Sequence, residues 1–100
     1  MEKEIALVVT NFRNVASKIY EMIFNDFRRS IAKLDRQTDE NVFQQLQARY
    51  VNELEKHLDQ EAKKIVEENS GHAAASTMHR ELAAHISYLI SSFLLKAKSM

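Results

Sequence analysis

The chain has 100 residues, with 14 Lys and Arg against 14 Asp and Glu, 45% apolar residues, one glycine, no proline and no cysteine. That length and apolar content fit one domain with a buried core rather than a disordered tail. The missing cysteines exclude disulfide frameworks, thiolate zinc sites and cysteine nucleophiles, and the balanced charge leaves only local patches as reasons to approach a polyanion.

With no proline and only Gly71 to break regular structure, the chain lacks the punctuation that strands and tight turns need, and its apolar residues recur at three- and four-residue spacing. Met1-Glu2-Lys3-Glu4 carries two acids where a secretory leader would carry bases, so this start reads as mature sequence and the cytoplasm is the expected compartment, with the nucleus open. Ile5, Val8, Phe12, Val15, Ile19, Met22, Ile23, Phe27, Ile31 and Leu34 predict one long helix over about 3–35. A polar break follows at residues 35–40, where Thr38 ahead of two acids is an expected N-cap.

Phe43, Leu46, Tyr50, Leu54, Leu58, Ala62 and Ile65 predict a second helix over 39–68, expected to end at Gly71 in a left-handed conformation. Met78, Leu82, Ile86, Leu89 and Phe93 carry the period into a third helix over 72–97. The longest uncharged run, Leu82 to Leu95, includes His85 and three serines and is shorter than the roughly 20 apolar residues of a membrane span. Three helices with short connections predict an all-α, antiparallel, up-down-up three-helix bundle. Residues 37–69 carry four bases and eight acids, whereas the flanking segments carry a small basic excess, which suits that pairing.

The apolar arc of the first helix is about 200° wide, more than the roughly 100° that one core needs, which predicts a second partner. A helix of about 32 residues would reach about 48 Å against about 40 Å for its neighbour, leaving Ile5, Val8, Val9 and Phe12 as an overhang. On the third helix, Ala84, Tyr88 and Leu95 form a stripe apart from the main one. Phe12, Ile19, Tyr20, Phe24, Tyr88 and Leu95 are therefore the expected partner interface, for a homodimer first and another helical protein second.

Chemistry is sparse. His57, His72, His79 and His85 include no pair at i, i+4 spacing, and neither a metal nor a cofactor is expected. Glu61 and Gln47 fall within the second helix's apolar arc, where Glu61 is expected to pair with His79 or Arg13, while His57 and Glu61 read as an ordinary helix-surface pair. No glycine-rich loop can cradle phosphate, and no enzyme activity is expected. Arg28, Arg29, Lys33 and Arg36 form the best basic patch and carry the alternative expectation of a small DNA-binding regulator, although cations there also suit the end of a helix dipole. The expected role is a non-enzymatic protein–protein interaction module: a regulator, an adaptor, a chaperone or a subunit of a helical assembly.

Overall fold

The computed structural model of the protein describes residues 2–35, 37–71 and 75–99. Three helices account for most of it: α1 (Glu2–Ile31), α2 (Glu40–Glu68) and α3 (Ala75–Lys98), with no strand among the described residues. Tyr20 meets Ser92 and Phe93, and Arg13 meets Glu81, so α1 and α3 run in the same direction. Phe27 near the end of α1 meets Phe43 near the start of α2, which sets α2 antiparallel to both. The result is the expected up-down-up bundle, 54 Å long and 17 Å across.

The periodicity that makes each helix also supplies the core. Val9, Phe12, Ala16, Tyr20, Ile23 and Phe27 of α1 are buried at three- and four-residue steps, as are Met78, Leu82, Ile86, Leu89, Phe93 and Ala97 of α3. From α2 come Phe43, Leu54, Leu58 and Ala62. Aromatic rings fill the end near the first turn: Phe27 lies 5.7 Å from Phe43, 5.8 Å from Tyr50 and 5.2 Å from Phe93 between ring centroids. Such edge and tilted contacts place ring edges on ring faces, the arrangement favoured by the aromatic quadrupole.

Both connections differ from expectation. The first helix stops at Ile31 rather than at 35, because the chain turns into a hydrogen-bonded clasp between two aspartates. The Asp35 amide donates to Oδ2 of Asp39 at 3.0 Å, the Gln37 amide donates to Oδ1 of Asp35 at 2.9 Å, and the Asp39 amide donates to the Asp35 carbonyl at 2.7 Å. Leu34 follows the helical period only because it folds back onto the core from outside the helix. Asp39, not Thr38, stands at the N-cap of α2, and its carboxylate serves the clasp rather than the α2 amides.

At the other end α2 is closed by Asn69, whose Nδ2 donates to the Ile65 carbonyl at 2.8 Å. Gly71 does not take the expected left-handed conformation; a side-chain amide has already satisfied the helix end. The expected start of α3 at His72 lies outside the described residues, and the helix is described from Ala75. With 30 residues in α1 and 29 in α2 there is no overhang: Val9 and Phe12 are buried, and Ile5 and Val8 pack against the core.

Candidate functional site

The bundle takes up four of the six residues expected to meet a partner. Phe12 is 1% exposed, Tyr20 is buried, and Ile19 and Phe24 are half-buried against the core. Phe93 covers this face from α3, 5.1 Å from Phe24 and 6.1 Å from Tyr20 between centroids. Lys96 lies over both rings, its Nζ 5.1 Å from the Tyr20 centroid and 5.6 Å from that of Phe24. The centre of the wide apolar arc of α1 therefore serves two neighbours inside one chain, while Val15 and Met22 at its edge stay exposed. Arc width alone does not separate that from an interface between chains.

Tyr88 and Leu95 are 65% and 69% exposed on the outer side of α3. Tyr88 stacks on His85 with centroids 5.9 Å apart, and His85 meets the edge of Phe12 from α1, so this stripe borders the α1–α3 seam. Nε2 of His85 is buried without a hydrogen-bond partner among the described residues. Burial first, and the Arg13 guanidinium second, push the imidazole pKa below its ordinary value. Arg13 pairs with Glu81 across the seam at 3.7 Å, both half-exposed.

The expected partners of Glu61 are thereby corrected. Arg13 is engaged by Glu81, and Glu61 takes Lys64 of its own helix at 3.4 Å, because its position leaves a third of the side chain in water. His57 makes no ion pair with it. Among the described residues no group of three His, Asp or Glu could hold a metal ion, and no helix is long and apolar enough to cross a membrane. The Ser30 hydroxyl bonds the Tyr50 hydroxyl at 2.7 Å and Ser92 bonds Tyr20 at 3.5 Å, so these serines face phenols rather than a base.

Of the basic patch, Arg28 and Arg29 occupy the last turn of α1 and Lys33 the turn beyond it, all three exposed; Arg36 lies outside the described residues. Arg29 is 3.6 Å from Asp26 one turn back. These cations sit where the carbonyl end of the helix dipole favours them.

A feature that only the packing creates is a groove of about 650 Å³ along the α2–α3 seam. Ala62 and Val66 of α2 and Leu82, Ala83, Ile86 and Ile90 of α3 form its floor. Glu55, Asp59, Lys63 and Glu67 line the α2 wall, with His79 and Ser87 opposite. No protein-family model, characterised protein or solved structure matches the chain.

Proposed function

We propose that this domain works by protein–protein contact through the faces of its helices, without chemistry of its own, as a regulator, adaptor, chaperone or subunit of a larger helical assembly. Self-association through the outer stripe of α3 is its first use. The observation that carries this is the exposure of Tyr88 and Leu95 together on one side of α3, apart from the face that Met78, Leu82, Ile86, Leu89, Phe93 and Ala97 bury in the core. Two large apolar side chains seven residues apart make a two-turn stripe, and an isologous contact would bury the stripe of one protomer against that of the other. Tyrosine is also among the side chains that most often dominate interface energetics.

Molar mass by light scattering across a dilution series tests the proposal. The chain is expected at twice its monomer mass. In Tyr88→Ala/Leu95→Ala the dissociation constant should rise by about a hundredfold, at roughly 0.7 kcal/mol for each of the four anchors that the two protomers lose, with circular dichroism unchanged. A mass that is monomeric throughout, or a dimer indifferent to both substitutions, sinks the self-association.

A further inference from the structure

We propose that the α2–α3 groove is a docking site for an amphipathic helix whose apolar stripe is flanked by Lys and Arg. It rests on the reading of the domain as a helix-face interaction module, but the site borders α2, whereas Tyr88 and Leu95 border α1. Between Glu55 and Glu67 the groove runs about 18 Å, the length of about three turns of a docked helix. Ala62 and Ala83 in its floor have no side chain beyond Cβ, so the backbone of an incoming helix can approach closely. Leu94, four residues past Ile90, continues the apolar face and is exposed.

The rim identifies the occupant. Glu55, Asp59 and Glu67 stand exposed along one wall against Lys63 alone, and none of the three carboxylates is ion-paired among the described residues. The α3 wall adds no acid. A cation beside the apolar stripe of a docked helix would meet a carboxylate, and a carboxylate there would meet like charge. The same distribution disfavours a second copy of this chain. A two-fold contact centred on the groove sets α2 acids against α2 acids, and insertion of the Arg28–Arg29 end of α1 is head-to-tail, which propagates instead of closing.

The test uses two fluorescein-labelled peptides of about 18 residues, with one Leu/Ala stripe flanked by Lys in the first and by Glu in the second. Anisotropy titrations should show the Lys peptide binding at least about tenfold more tightly, by a margin that shrinks with added salt. Glu55→Gln/Asp59→Asn/Glu67→Gln should erase the preference with circular dichroism unchanged, and Ala83→Trp should block both peptides. Equal affinities, or no binding to a folded protein, overturn the proposal. A self-association that disappears in Ala83→Trp would make the occupant a second copy, ending the basic-helix proposal while leaving the interaction role standing. A monomer that binds neither peptide ends both.

Discussion

The imidazole of His85 lies under the phenol ring of Tyr88, 5.9 Å between centroids and 23° from parallel, so the most exposed aromatic side chain of α3 roofs the bundle's one histidine with a shifted pKa among the described residues. Around it stand Phe12 and Arg13 from α1 and Glu81 and Tyr88 from α3. In the unfolded chain the imidazole titrates near its ordinary 6.5, whereas in the fold burial and then Arg13 hold it lower. The folded state thus prefers the neutral ring. Its contribution is whole above the unfolded pKa and is lost as pH falls through 6.5 towards the folded value.

Melting temperatures of the parent and of His85→Phe, followed between about pH 7.5 and 5.5, should therefore diverge, with the parent losing more stability on acidification. Phenylalanine keeps a ring between Phe12 and Tyr88 and cannot take a proton. Parallel curves for the two proteins would show that His85 carries no pH dependence.

Phe93 joins α3 to the aromatic end of α1. It is fully buried and touches the rings of Tyr20, Phe24 and Phe27, and Phe27 in turn reaches Phe43 and Tyr50 of α2. Phe93→Ala should cost about 3–5 kcal/mol in urea unfolding, a large share of the roughly 5–15 kcal/mol that holds such a domain. Phe24→Ala, at a half-buried position, should cost less. Equal losses for the two would mean that burial does not set the cost here.

Gly71 offers a substitution in the opposite direction. Its φ is not in the left-handed range, and beyond its chain neighbours a Cβ placed on it meets no atom of the described residues within 4 Å. Gly71→Ala should stabilise the protein by about 0.5 kcal/mol, chiefly by narrowing the unfolded ensemble. For a domain of this size that is a rise in Tm of about 2–4 °C by calorimetry. A fall in Tm would show that the connection needs the freedom of glycine after all.

Helix number, order and inward faces were legible from residue spacing, because a period of 3–4 records which side of each helix leaves water. Tyr88 and Leu95 were legible too, since they interrupt the polar side of an otherwise ordinary pattern. The helix ends were less so. Leu34 kept the period beyond the last helical turn, and Asp35 with Asp39, and Asn69 in place of Gly71, closed the ends through side-chain hydrogen bonds that many polar pairs could have made.

What the sequence determined by itself was the set of faces that must be buried; what only the tertiary structure decided was which face meets which. Phe12, Tyr20 and Phe24 carry the same apolar signature whether a neighbour belongs to the same chain or another, and the packing of Phe93 and Lys96 onto Tyr20 and Phe24 is what assigns them to the core. The α2–α3 groove is likewise invisible along the chain. Its lining brings together Ala62 and Ala83 from different helices, and its acid wall borders the groove because of how α2 packs along α3. Burial is a property of each residue's own chemistry, whereas a concave surface belongs to the pair of elements that leave it unfilled.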